Sequence, residues 1–328
     1  HNPASHHECK NTRHRDTAPT CTYRRTLAAN LYAMDNNLTS NEIDILIENL
    51  THFENKCDHN SYSYLKNCLD ELIIPFPAIS IIKGKLLFRA RRHSKGEEYF
   101  INISDISYRP DIFNIHEFGR ANEPCQSIFY CSDQHEIALF ETSITSRKNA
   151  DVEIDTLTTG IWEVNEEIIV GCLLNHPSFT AINKTQNFLD QNAKKIVEEF
   201  RDQNTDNLLR FHEFISKEFT KKTAEDSSKY LISCAFANYI YSNIGYHTTL
   251  KENLGLDGII YPSVVYPKFG INLALKTDTI TSNKLSLIGA RKSSIVRKSH
   301  NQYLEENIVE TRSIDKINKR ITWPKVSG

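Results

Sequence analysis

With 328 residues the chain can hold one large domain or two ordinary ones, and 39 basic against 41 acidic residues leave a net charge of -2, which excludes a global field for nucleic acid or membrane. Its eight cysteines (Cys9, Cys21, Cys57, Cys68, Cys125, Cys131, Cys172 and Cys234) are scattered without a CxxC pair, so they exclude a disulfide-framed secreted domain and read as free thiols of a cytoplasmic protein. The longest apolar stretches, ELIIPFPAISII and YLISCAFANYIY, are too short or too interrupted to span a bilayer, and the N-terminus carries no signal-peptide core.

The first convincing element follows the single methionine, Met34. Residues 1–33 therefore read as a leader, a vector-derived segment or the stub of a lost one, with Met34 at or near the natural start. His6, His7, Cys9, His14 and Cys21 lie in this segment, but their spacing fits no regular zinc motif. Thr39 and Glu42 form a capping box with Leu38 and Ile43 as staple, which predicts a helix from Ser40 to about Phe53. CDHNSYSYLKNCLDELI continues as a weaker helix, and the two prolines of IPFPAIS break it. The break marks a boundary: 34–80 reads as a small helical N-terminal region and 81–280 as the main domain.

KLLFRA reads as a strand, followed by EEYFINISDIS and a loop with Pro110, then by the strand SIFYCSD. DQHEIALFETSIT reads as a helix with Asp133 as N-cap. GIWEVN and EEIIVGCLL are strands about a tight turn; Asn187 to Lys222 is a long interrupted helix; AEDSSKYLISCAFANYIYSN is an amphipathic helix ending before Gly245. Ile259 to Tyr261 form a short apolar strand that runs into Pro262 and Ser263, and the chain returns through YPKFG as a strand with Asn272 facing out. Strands and helices alternate without βαβ pacing, so the class is α+β with a mixed sheet. Past Thr281 the apolar period fades and basic residues recur, so 281–328 reads as a basic C-terminal extension, either a solvated tail or edge helix or a docking surface.

No HExxH, GxSxG, GxxxxGK or GxGxxG occurs in a supporting context, which sets aside zincins, serine hydrolases of the elbow type, P-loop enzymes and Rossmann oxidoreductases. Three separated pieces stand out together. In LLFRA, Arg89 lies inside an apolar strand, a costly place for a guanidinium unless it meets an anion or a carboxylate. GRANEPCQSIFYCSDQHEIALFE carries Arg120 and Asn122 in a turn, Tyr130 on a strand and Glu141 on the next helix. DGIIYPSV and the following GIN carry Ser263 and Asn272. Each residue alone has a structural reading: an ion pair for Arg89, a surface position for Glu141, a half-buried strand tyrosine, a serine closing a strand end, an asparagine bracing a turn.

In this order and context the three pieces resemble the RES family, named for a conserved arginine, glutamate and serine, which here would be Arg89, Glu141 and Ser263. The resemblance covers roughly Lys85 to Ile280. It implies a fold similar to ADP-ribosyltransferases and an enzyme that degrades NAD as a consumed substrate, by hydrolysis or phosphorolysis, with no metal or other cofactor. It also implies the role of a toxin, with an antitoxin or regulatory protein as partner and neither nucleic acid nor membrane. In such a site Arg89 and Arg120 would hold the pyrophosphate and Tyr130 would face the nicotinamide. Ser263 would bond the nicotinamide or its ribose, Asn122 would contact substrate, Asn272 would brace the serine turn, and Glu141 would stabilise the ribosyl cation. Transfer of ADP-ribose to a protein or nucleic acid, and a catalytically inactive nucleotide- or partner-binding module, are the alternatives.

Overall fold

The computed structural model describes residues 39–53, 58–70, 76–146, 154–173, 205–221, 227–247, 252–265, 270–299 and 302–325. Residues 1–33 with their histidines and cysteines, Leu38 of the expected staple, 187–204 and Lys222 of the expected long helix, and 266–269 of the expected YPKFG turn lie outside the described residues.

The first helix, α1 (Ser40–His52), starts where the capping box requires: the Glu42 amide donates to Thr39 Oγ1 at 3.3 Å and the Thr39 amide donates to Glu42 Oε2 at 2.8 Å. Its buried stripe is Ile43, Leu46 and Leu50. In chain order there follow α2 (His59–Asp70), β1 (Pro77–Ile81), β2 (Leu86–Arg92), β3 (Ile128–Ser132), α3 (His135–Thr142), β4 (Ile154–Val164) and β5 (Ile168–Cys172). The second half holds α4 (Thr205–Thr220), α5 (Leu231–Ser242), β6 (Ile244–His247), β7 (Glu252–Gly255), β8 (Gly258–Pro262), β9 (Ile271–Lys276), the single turn α6 (Asp278–Thr281), β10 (Leu285–Ser299), β11 (Gln302–Thr311), β12 (Ile314–Asp315) and β13 (Arg320–Ile321).

The class is mixed α+β. Eleven strands join in one sheet in the order β11-β10-β4-β2-β3-β9-β8-β5-β1-β6-β7. The β5–β8 and β1–β6 pairs are parallel and the others antiparallel, as expected for a sheet built from hairpins and long returns rather than βαβ units. β2 pairs with β4 from Leu86 to Arg92, and β3 with β9 from Ile128 to Ser132, yet β2 and β3 meet only at Phe88 and Ser132. The sheet is thus two well-laddered halves joined at a one-pair seam.

Strand alternation sorts the core around that seam. One face runs through both halves, with Leu87, Trp162 and Leu287 continuing into Phe129, Leu273 and Ile260. On the opposite face, α1, α2, α4 and α5 cover Ile259, Ala274 and Tyr261 of one half, while Leu139 of α3 packs on Leu157 and Ile295 of the other. Between these two helical groups, over the seam, lies a gap.

Several elements differ from the sequence reading. The second proline of that segment opens an inner strand: β1 lies between β5 and β6, with Pro77 at its first position, where its missing N–H costs least. α1 and α2 share a core with α4 and α5, and from Asn37 onward the chain packs as one compact unit, so no packing boundary falls at residue 80. The C-terminal segment is neither tail nor helix, since β10 pairs with β4 along its length and with β11 on its other side. Serines at buried positions (Ser286, Ser293 and Ser294) hid its two-residue period. α5 is buried at every position from Leu231 to Ile240 and has no polar face, because it lies between the sheet and neighbouring helices. The N-cap of α3 is Gln134; the Asp133 carboxylate instead accepts the Ile271 amide at 3.1 Å, and its burial raises its pKa.

No helix among the described residues is long and apolar enough to cross a membrane.

Candidate active site

A cleft of about 300 Å³ opens in the gap above the seam, and Arg89, Arg120, Asn122, Tyr130, Glu141 and Asn272 all line it. Three stretches far apart in sequence reach it because β2, β3 and β9 meet there and α3 follows directly from β3.

Glu141 stands in the last turn of α3. Its Oε1 receives four donors: Ser263 Oγ at 2.6 Å, the Val264 amide at 2.9 Å, Asn272 Nδ2 at 2.9 Å and the Val265 amide at 3.3 Å. Oε2 receives no hydrogen bond from the described residues. Oε1 thus anchors the side chain to the turn after β8 and to the strand β9.

Arg89 reaches the same cleft through the seam. By strand alternation it lies on the Leu87 side of β2, and its guanidinium fills the opening where β2 and β3 part: Nη1 donates to Tyr130 O at 2.8 Å and Nε to Ser107 O at 3.0 Å. It stacks on Phe129 at 5.2 Å. Nη2 has no partner among the described residues, and no carboxylate pairs with the group. Burial lowers its pKa to about 10, so it stays charged at neutral pH. A half-buried cation without a counter-ion is costly, which makes this position one that gains from an anionic ligand.

The 119–126 turn is held as a unit. Tyr130 Oη accepts the Ala121 amide and donates to Asn122 Oδ1, both at 2.8 Å, and burial pushes its phenol pKa up. Gln126 Nε2 donates to Asn238 Oδ1 of α5 at 2.7 Å. Arg120 donates through Nη1 to Phe219 O and through Nη2 to Lys221 O at 3.1 Å, with its guanidinium 5.0 Å from the Tyr230 ring. It therefore caps the C-terminal end of α4, whose last carbonyls lack helical partners. The Gly119 amide bonds Asn122 O at 2.8 Å, and a Cβ at Gly119 would collide with Asn122 Oδ1 and lie 3.2 Å from Tyr130 Oη. Gly119→Ala is accordingly expected to break the Asn122–Tyr130 bond and to cost about 1–3 kcal/mol in urea unfolding; unchanged stability would show that the turn relaxes freely.

All seven residues singled out in the sequence come together, though with altered parts. Ser263 is fully buried and its hydroxyl serves Glu141. Asn272 is 7% exposed and points inward, its amide donating to Glu141, rather than out of its strand. Asn122 and Tyr130 bond each other. The sequence reading missed Ser132, whose Oγ donates to Asn272 Oδ1 at 2.6 Å, and the amides of Val264 and Val265. Main-chain donors carry no residue-type signal; Ser132 offered only a small polar residue at a strand end. Among the described residues no cluster of three metal-ligating side chains occurs.

No protein-family model, curated protein or solved structure matches this chain.

Proposed function

We propose that the chain cleaves the nicotinamide–ribose bond of NAD, as a RES-like enzyme built on an ADP-ribosyltransferase-like core. One observation carries the reading: the lining of a single cleft includes a guanidinium without a counter-ion among the described residues and a carboxylate anchored through one oxygen only. NAD presents the matching groups, a dianionic pyrophosphate and a ribose carbon that becomes cationic as the bond to nicotinamide lengthens.

In this reading Arg89 binds the pyrophosphate through its open Nη2 edge, because two of its nitrogens already fix the guanidinium plane. Glu141 Oε2 faces the ribose and stabilises the oxocarbenium-like centre, while its Oε1 anchors prevent the side chain from swinging away. Nicotinamide leaves with the electron pair of the broken C–N bond, which neutralises its pyridinium, so no general acid is needed for departure. Water or phosphate then bonds the ribose carbon from the other side, and with water the released proton passes to solvent. Tyr130 contributes a ring to the wall. Arg120 shapes the cleft through its cap on α4, and Ser263 acts through Glu141.

Incubation with NAD labelled in both halves tests this. Free nicotinamide with ADP-ribose marks hydrolysis, ADP-ribose phosphate marks phosphorolysis, and label retained on a macromolecule marks transfer. NAD left undiminished after long incubation at high protein concentration would overturn the proposal.

A further inference from the structure

We propose that Ser132 is a positioning residue for the carboxylate of Glu141, acting through the amide of Asn272; the kinetic part rests on the NAD-cleaving reading above. Ser132 sits at the seam. Its main chain makes the one pair between β2 and β3, opposite Phe88, and on its other side it is paired with Asn272 of β9. Its side chain is 2% exposed, and Oγ donates to Asn272 Oδ1 at 2.6 Å; Asn272 Nδ2 in turn donates to Glu141 Oε1 at 2.9 Å.

The direction of this chain of bonds matters. An asparagine amide has an accepting and a donating end, and only one of its two orientations serves a carboxylate. Turned over, Asn272 would set Oδ1 against Glu141 Oε1, two acceptors within contact distance, in a nearly dry pocket where such an apposition is poorly screened. The hydroxyl of Ser132, by donating to Oδ1, holds the amide in the orientation that presents Nδ2 to Glu141. The other three donors to Oε1 come from the turn after β8, whereas Asn272 is the one donor from the sheet. Ser132 thereby ties the carboxylate to the same seam that Arg89 plugs, and fixes the spacing between the cationic and anionic sides of the cleft.

The test is a double-mutant cycle with wild-type protein as reference. Ser132→Ala is expected to lower kcat about tenfold with KM for NAD within about twofold. In an Asn272→Ala background the same change is expected to have no further effect, because the group it orients is gone. Ser132→Cys, which keeps the size but replaces the hydroxyl with a weak donor, reproduces the loss and serves if the alanine variant folds poorly. Additive losses in the cycle, or full kcat in both Ser132 variants, would overturn the relay while leaving NAD cleavage intact. If wild-type protein does not consume NAD, the functional reading fails on its own, and the relay is read from the side-chain amide resonances of Asn272 in 15N spectra. Ser132→Ala is expected to move that pair; unmoved resonances would overturn the relay.

Discussion

Glu141→Gln is expected to lower single-turnover cleavage of NAD about a hundredfold or more while changing NAD affinity by less than about threefold. The substitution is unusually clean at this position. Four donors converge on Oε1, so the glutamine must turn its carbonyl oxygen toward Ser263, Asn272 and the two valine amides, and its NH2 group takes the place of Oε2. Anchoring and shape survive, while the negative charge at the ribose is lost. That charge matters little to the ground state, where the positive charge is on the nicotinamide ring, and most when it moves onto the ribose carbon. Glu141→Ala is a poorer probe: it removes the acceptor of the Asn272 side-chain amide and of the Val264 main-chain amide, costing about 1–3 kcal/mol of stability, and would confuse misfolding with lost chemistry. Rapid-quench rates beside calorimetric affinities check the expectation, and a Glu141→Gln protein that turns over normally would place the catalytic carboxylate elsewhere.

How far the sequence disclosed this arrangement depends on whether the cause was local. α1 was legible to within a residue because a capping box is written in four consecutive positions. The cleft was legible in membership through combination, since Arg89, Glu141, Ser263 and Asn272 each have an ordinary structural reading alone and stood out only by their shared order and local contexts. It was not legible in roles. That Arg120 caps α4 depends on carbonyls 99 and 101 positions away, and nothing near Arg120 announces them. The same holds for the β10–β11 hairpin. Its basic and serine residues look solvated in one dimension, yet Arg291 pairs with Glu305 and Glu310, and Arg297 Nη2 donates to Thr145 O at 2.6 Å, just past the helix that carries Glu141. The segment read as a solvated tail, edge helix or docking surface thus braces the helix that carries Glu141. The seam was invisible for a further reason: which strands pair is a property of the whole sheet, and the single β2–β3 pair that opens the cleft has no sequence of its own.

Arg89→Ala is expected to act on binding and on the fold, and the two effects separate. In the proposed complex the guanidinium meets the phosphates equally in substrate and transition state, so its loss raises the dissociation constant for NAD by about 10- to 150-fold, roughly 1.5–3 kcal/mol, with a smaller effect on the rate of bound substrate. In the free protein the same side chain bonds the main-chain oxygens of Tyr130 and Ser107 across the seam, and alanine leaves both without that donor. Losing those bonds destabilises folding by about 1–3 kcal/mol, partly offset because a half-buried cation with no counter-ion is itself removed. Arg89→Lys discriminates between the two: an ammonium keeps the charge but cannot serve Ser107, Tyr130 and a phosphate from one rigid plane. Lysine should therefore recover part of the NAD affinity while remaining below wild type in urea unfolding. If instead Arg89→Ala binds NAD as tightly as wild type and loses only stability, the arginine is a plug for the seam and the phosphate contact belongs to another group.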